Sequence, residues 1–122
     1  MNQSGAGSIA FWLQSRAHYR SGLERRRLSV MRQVLHALDT LSEKYAWEEA
    51  YLFGSLTRPG RFGPESDVDI AIAGLNKFDH YALVGEISNL LDRPVDVVRL
   101  EECPFAAKIA REGISWKKTQ GR

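Results

Sequence analysis

The stretch DVDIAIA at residues 67–73 sets two acids, Asp67 and Asp69, into an alternating apolar segment. Side chains two positions apart in an extended chain project from the same face, so the two carboxylates point together and the intervening apolar side chains point away. The alternation predicts a half-buried strand at Val68–Ala73. Two carboxylates on one face repel each other unless a cation lies between them, and hard oxygen ligands suit Mg²⁺ or Mn²⁺. The stretch therefore predicts a divalent metal site.

A third acid, Asp96, lies in the apolar run PVDVV at residues 94–98. We expect a strand at Val95–Leu100, with Asp96 on the face opposite its valine neighbours, where it joins the first two acids if the strands are adjacent. The alternative is that the three acids cap turns or form salt bridges. That reading explains each acid alone. It does not explain acids within apolar strands, where each would lose solvation without a charged partner.

Upstream of these acids, residues 49–53 predict a first strand that ends in a sharp turn at Gly54-Ser55. Glycine lets backbone N–H groups approach a ligand, and serine adds a hydroxyl, so a phosphate could bind there. Residues 56–66 predict a loop, because they contain two glycines and two prolines. Arg58 and Arg61 in this loop either help to neutralise a triphosphate or are ordinary surface arginines, and the sequence leaves both readings open.

Helices are predicted on either side of these strands. Ser21 and Glu24 fit a capping box that starts a long helix running to about Tyr45, with a shorter helix at Ile9–His18 before it. Aromatic side chains of the first segment are interpreted as core or interface residues: Phe11, Trp12 and Tyr19.

Two further helices complete the predicted order. One spans Phe78–Leu91 and is capped by Asp79, and a last one starts near Pro104, buries Phe105 and Ile109, and ends at Gly113. The resulting order of helix, strand, turn, strand, helix, strand and helix predicts an α/β (α+β) sandwich with helices packed on a small sheet.

Composition favours one ordinary domain, since the 122 residues are 43% hydrophobic and 26% charged, with a net charge of +2. Residues 1–45 hold seven Lys or Arg against three Asp or Glu. This basic half suits an anionic partner, although a solvated helix face is the interpretation we favour. No apolar run is long enough to span a membrane and residues 1–7 do not resemble a signal sequence, so we expect a cytoplasmic protein. The single Cys103 predicts neither a disulfide nor a zinc site.

The motifs LFGS (52–55), SDVDIAI (66–72) and PVDVV (94–98) resemble, in order and spacing, the polymerase-beta-like nucleotidyltransferase superfamily. The segment IAREGI (109–114) is similar to the ending of its short prokaryotic members. These are the minimal nucleotidyltransferases, often encoded as the antitoxin beside a HEPN-domain ribonuclease toxin. The resemblance implies the small mixed sheet of that fold at residues 46–122, preceded by an N-terminal helical extension at residues 1–45.

The resemblance also implies roles for individual residues. Gly54 and Ser55 would contact the β and γ phosphates of ATP, and Asp67 and Asp69 would bind two Mg²⁺ ions, with Asp96 completing the second site and able to take the acceptor proton. The implied reaction moves AMP from ATP to a hydroxyl, in these members a tyrosine of the partner toxin. Many relatives carry arginine after Gly-Ser where this chain has Leu56, so Arg58, Arg61 or a residue on another element must meet the phosphate charge.

Two classes of function compete with the enzyme. The first is a non-catalytic antitoxin, or binding module, that inhibits its partner by forming a complex. The second is a nucleic-acid binder that uses the arginines of the N-terminal helix, Arg25 to Arg27, and we do not favour it. The identity of the acceptor, the base preference and the oligomeric state, including a homo-oligomer, are left open by the sequence.

Overall fold

Four short strands form one sheet in the order β3-β2-β1-β4. The computed structural model describes residues 4–118, with side chains from residue 8 onward. The helices and strands are α1 (Ser4–Leu41), β1 (Glu49–Phe53), β2 (Val68–Ala73), α2 (Lys77–Leu91), β3 (Val95–Arg99), α3 (Ala106–Glu112) and β4 (Ile114–Trp116). Short 3₁₀ turns follow β1 at Gly54–Thr57 and β3 at Leu100–Glu102.

The sheet is mixed, because β1 pairs antiparallel with both β2 and β4 while β2 pairs parallel with β3. A parallel pair needs a crossover connection, and α2 supplies it between β2 and β3. Strands β1 and β2 occupy the predicted residues, and β3 ends one residue earlier than predicted. The predicted fold class is confirmed.

One face of the sheet forms the core with the two longer helices. Alternate residues of β1, β2 and β3 are buried on this face: Ala50, Leu52, Val68, Ile70, Ile72, Val95 and Val97. Helix α1 contributes a buried stripe from its C-terminal half, including Val30, Val34, Leu38 and Leu41. Helix α2 adds Leu83 and Ile87. The second half of α1 is therefore part of the same core as the sheet.

Helix α1 differs from its prediction. It is one continuous helix of 38 residues, and the expected start at Ser21 is wrong. The Glu24 side chain accepts hydrogen bonds from Arg27 rather than capping a helix end. A helix that continues through residue 21 avoids the free-energy cost of nucleating a second helix there. The helix also ends at Leu41 instead of Tyr45, and turns connect it to β1.

Several smaller predictions are also wrong. Helix α2 is capped by Asn76, whose side chain accepts from the backbone N–H of Asp79 at 2.8 Å, so Asp79 lies inside the first turn. Helix α3 starts at Ala106 rather than near Pro104, and Phe105 is 51% exposed rather than buried. Strand β4 was not predicted, because three residues are too few to show an alternating pattern.

The N-terminal half of α1 extends away from the core. Every described side chain from residue 8 to residue 20 is exposed. The expectation that Phe11, Trp12 and Tyr19 fill the core is wrong, since they are 71%, 54% and 64% exposed, and a role at an interface stays a prediction. No helix in the described part of the chain is long and apolar enough to cross a membrane.

Candidate active site

The three predicted carboxylates and the Gly-Ser turn lie at one end of the sheet. In the strand register Phe53 pairs with Asp69, and Asp69 pairs with Asp96. Paired residues on neighbouring strands project from the same face, so Asp69 and Asp96 share a face. Gly54 follows Phe53 directly, which places the Gly-Ser turn beside Asp69. The condition that the strands of Asp69 and Asp96 be neighbours is therefore met.

The three acids differ in their surroundings. Asp69 is half-buried within β2, whereas Asp67, just before the strand, and Asp96 are exposed. They occupy the face of the sheet opposite the buried valines and isoleucines. The argument that each acid would be desolvated is thus wrong for Asp67 and Asp96, because both side chains are exposed. It holds only for Asp69.

Asp67 and Asp96 lie close enough to Asp69 to repel its carboxylate electrostatically. Burial raises the pKa of Asp69, and the nearby charges of Asp96 and Asp67 raise it further. Within residues 4–118, no Lys, Arg or His forms an ion pair with any of the three. A cation bound among them would relieve the repulsion, so the charge balance of the site suits a divalent metal.

The donor set fits Mg²⁺ in its chemistry, since it offers three carboxylates and no sulfur or imidazole. As the side chains are placed, however, no group of three or more His, Cys, Asp or Glu residues in the described chain is arranged to hold a metal. Strand pairing fixes the backbones of Asp69 and Asp96, while the exposed side chains of Asp67 and Asp96 are free to change rotamer. Metal binding here therefore requires side-chain rotation.

The turn after β1 packs directly against Asp69. Gly54 has a φ of +76°, and a Cβ built on it would lie 3.2 Å from the Asp69 Cγ and still nearer to a carboxylate oxygen. The Thr57 hydroxyl donates to the Gly54 carbonyl at 2.9 Å, and the Arg58 N–H donates to the Ser55 carbonyl at 3.1 Å. The predicted sharp turn is present as a closed 3₁₀ turn, and only glycine fits its first position.

Arg58 and Arg61 lie in the loop after this turn, and both are exposed. Neither guanidinium has a hydrogen bond or ion pair with the described residues, although the Arg61 N–H donates to the Arg58 carbonyl at 3.0 Å. Their charges are uncompensated, as a phosphate-binding group requires. No contact joins them to the three carboxylates, and their role stays a prediction.

Two further arginines support the site and were not identified from the sequence as site residues. Arg93 donates to the Ser66 carbonyl at 3.3 Å, and its guanidinium lies 5.1 Å from the centre of the Phe62 ring. It therefore holds the end of the loop just before Asp67. No sequence signal marks Arg93, because its contact partners are more than 25 positions away in the chain.

The second, Arg27 of α1, is 6% exposed and donates to the Leu56 carbonyl at 2.8 Å. Its position three residues before Val30 and seven before Val34 puts it on the apolar stripe of the helix, a signal that was present in the sequence. The prediction that the basic residues of this helix form a solvated face is therefore wrong for Arg27. Of the basic run at residues 25–27, only Arg25 and Arg26 are exposed to an anionic partner.

The profile of the family described as Polymerase beta, Nucleotidyltransferase matches residues 37–120. The chain finds no match among curated proteins.

Several solved structures share the fold. A toxin–antitoxin structure with AMP-PNP contains a chain with 25% identity and a TM-score of 0.58, matched over 70% of this chain and 74% of that one. A protein described as a minimal nucleotidyltransferase has 26% identity and a TM-score of 0.54, over 78% and 93% of the two chains. A mutant of the toxin–antitoxin complex MntA-HpeT gives 26% identity and a TM-score of 0.54, over 68% and 70%.

Proposed function

Because the chain belongs to the polymerase beta nucleotidyltransferase family, we propose that it transfers AMP from ATP to a hydroxyl of a partner protein. The acceptor is a tyrosine of a HEPN ribonuclease toxin, and the chain acts as the antitoxin in the cytoplasm. The observation that carries the proposal is the register of Phe53, Asp69 and Asp96 across three neighbouring strands. This register gathers a close-packed Gly-Ser turn and three carboxylates at one end of the sheet.

The residues have distinct proposed roles. Gly54 and Ser55 receive the β and γ phosphates, since the turn exposes backbone close to the carboxylates. Asp67, Asp69 and Asp96 hold Mg²⁺, which would supply charge neutralisation on the phosphates and activation of the acceptor hydroxyl. Asp96, the exposed acid at the edge strand, accepts the proton of that hydroxyl.

Phosphate charge beyond the metal site is met by the loop. Arg58 and Arg61 are the exposed cations nearest in sequence to the Gly-Ser turn, and they have no acidic partner among the described residues. Leu56, which follows Gly-Ser, is fully buried and cannot serve.

The structural relatives support the nucleotide and the kind of partner. One similar structure is a toxin–antitoxin complex with AMP-PNP, an ATP analogue, and another is the MntA-HpeT complex. Both match chains at 25% identity or above. A toxin as partner and ATP as nucleotide are therefore the natural first candidates for assay.

The test is transfer of label from α-³²P-ATP to the toxin encoded beside this chain, in the presence of Mg²⁺. Asp69→Asn keeps the shape of the side chain and removes its charge, so we expect transfer to fall at least roughly a hundredfold. Asp92→Asn is the matched control. Asp92 is an exposed acid with a φ of 51°, a backbone conformation that asparagine tolerates, and it lies outside the proposed site. Equal transfer by the wild type and Asp69→Asn would contradict the proposal.

One observation favours a second candidate, the non-catalytic antitoxin. The acids, as placed in the described residues, form no metal-binding group. In that case the chain would inhibit its toxin by covering it, without ATP. The wild type and Asp69→Asn would then suppress the RNase activity of the toxin equally, both in EDTA and without ATP. If the chain acts as an enzyme, suppression of the toxin requires both the Asp69 carboxylate and the nucleotide.

A further inference from the structure

A buried arginine of α1 reaches the turn that carries the proposed phosphate-binding pair. We propose that Arg27 is a positioning residue that fixes the Gly54-Ser55 turn through its backbone. In this proposal the N-terminal helix contributes to the nucleotide site by holding the turn in place. This inference rests on the proposed nucleotidyl transfer, and it concerns how the chain holds the turn in the absence of ATP.

The surroundings of Arg27 show where its charge is directed. It is the one buried charged residue in the described part of the chain, at 6% exposure. Its Nη1 donates to the Leu56 carbonyl at 2.8 Å, while Nε and Nη2 donate to the Glu24 carboxylate at 3.0 and 2.6 Å. Glu24 holds the pKa of Arg27 above its ordinary value through this hydrogen-bonded pairing. A buried charge is tolerated only when it is compensated in this way.

The hydrogen bonds of the turn show what Arg27 adds. The Gly54 carbonyl accepts from the Thr57 hydroxyl, and the Ser55 carbonyl accepts from the Arg58 N–H. Both bonds lie within the turn and its exit. The Leu56 carbonyl accepts from Arg27, 29 positions away in the chain. This is the hydrogen bond, among the described residues, that ties the turn to a helix.

The effect of Arg27 on a nucleotide is indirect. Its charge is paired with Glu24, and it contacts a carbonyl oxygen on the core side of a turn whose Leu56 side chain is fully buried. It therefore stabilises the conformation of Gly54 and Ser55 and does not itself contact phosphate. A positioned turn binds phosphate with less loss of backbone freedom than a mobile one.

The experiment compares Arg27→Gln with Arg26→Gln, which removes the same charge from the neighbouring exposed position. The first measurement is hydrogen exchange of the Arg58 amide, which donates to Ser55, in the protein without nucleotide. Loss of a charge-assisted hydrogen bond is expected to raise its exchange rate about tenfold relative to the Ile70 amide of β2. The second measurement is steady-state transfer, in which Arg27→Gln raises the KM for ATP more than it lowers kcat.

Arg27→Lys is expected to recover part of both effects, since it retains a charge that can reach the carbonyl, and Arg26→Gln is expected to change neither. An unchanged Arg58 amide in Arg27→Gln overturns the proposal. So does an equal rise in exchange across the sheet and α2, since that marks a general loss of stability. If Arg27→Gln does not fold, Arg27→Met decides by the same criterion, because it keeps the length of the buried side chain and removes the hydrogen bond to the Leu56 carbonyl. If the wild type shows no transfer, the proposed function fails while the exchange measurement still decides the role of Arg27.

Discussion

Gly54 is packed so closely against Asp69 that it cannot accept a side chain while the Asp69 carboxylate stays in place. A side chain at Gly54 would overlap the Asp69 carboxylate, and the backbone there has a positive φ that L residues rarely adopt. The contact limits the positions open to the carboxylate and leaves the turn backbone directly beside it. Glycine at this position is therefore required twice, by conformation and by space.

Gly54→Ala is predicted to destabilise the chain and abolish transfer. Gly60→Ala is its matched control, because Gly60 has a similar φ of +81° but nothing within 4 Å of an added Cβ. The control measures the conformational cost alone, about 1 kcal/mol. Urea denaturation is expected to show a loss for Gly54→Ala larger by roughly 1–3 kcal/mol. Equal losses of unfolding free energy for the two variants would show that close packing against Asp69 does not affect stability.

At the scale of elements, a polar cluster ties the end of α1 to α2. The Tyr45 hydroxyl donates to the Glu86 carboxylate, and Lys44 forms an ion pair with the same carboxylate at 2.9 Å. These bonds lower the pKa of Glu86, with the Tyr45 hydrogen bond as the largest cause. They link the turn after α1 to the middle of the crossover helix.

This cluster predicts a dependence of stability on pH. A carboxyl whose folded pKa is lowered stabilises the protein above its unfolded pKa, and that contribution is lost as the pH falls through the folded pKa. Glu86→Gln is therefore expected to lower the Tm at pH 7 and to make no difference well below pH 4. Glu65→Gln, at an exposed acid of the loop, is the control and should leave the Tm unchanged at both pH values. A Tm difference that is the same at both pH values would contradict the assigned role.

At the scale of the whole molecule, the two halves of α1 differ in burial. Residues 8–20 are exposed throughout, whereas Val34, Leu38 and Leu41 are buried against the sheet and α2. The division into an extension at residues 1–45 and a nucleotidyltransferase domain at residues 46–122 stays a prediction. Its test is where the chain can be shortened without loss of the fold.

Deleting residues 1–20 is predicted to change the free energy of unfolding by no more than about 1 kcal/mol, since exposed side chains contribute little. Deleting residues 1–45 removes the buried core side chains of α1, including Val34, Leu38 and Leu41, and the Arg27 contact, and we expect no cooperative unfolding transition. Circular dichroism with thermal melting distinguishes these outcomes. A folded chain that starts at residue 46 would support the division at residue 45 and contradict our expectation.

The sequence by itself determined the three strands that carry the site and the crossover helix between the second and third of them. Alternation between neighbouring residues is a local property, so Glu49–Phe53 and Val68–Ala73 could be assigned without knowing their neighbours. The same holds for the turn at Gly54, whose residue type reflects its backbone conformation. The candidate carboxylates followed from spacing within those strands.

Tertiary structure alone decided which residues are neighbours and which are buried. It joined β4 to the sheet, kept α1 continuous, left Asp67 and Asp96 exposed, and buried Arg27 under the Gly-Ser turn. Each of these depends on contacts between segments far apart in the chain. A local pattern shows which residues of one helix or strand share a face. Which face is buried, and which strand pairs with it, depends on the segments that pack against that element.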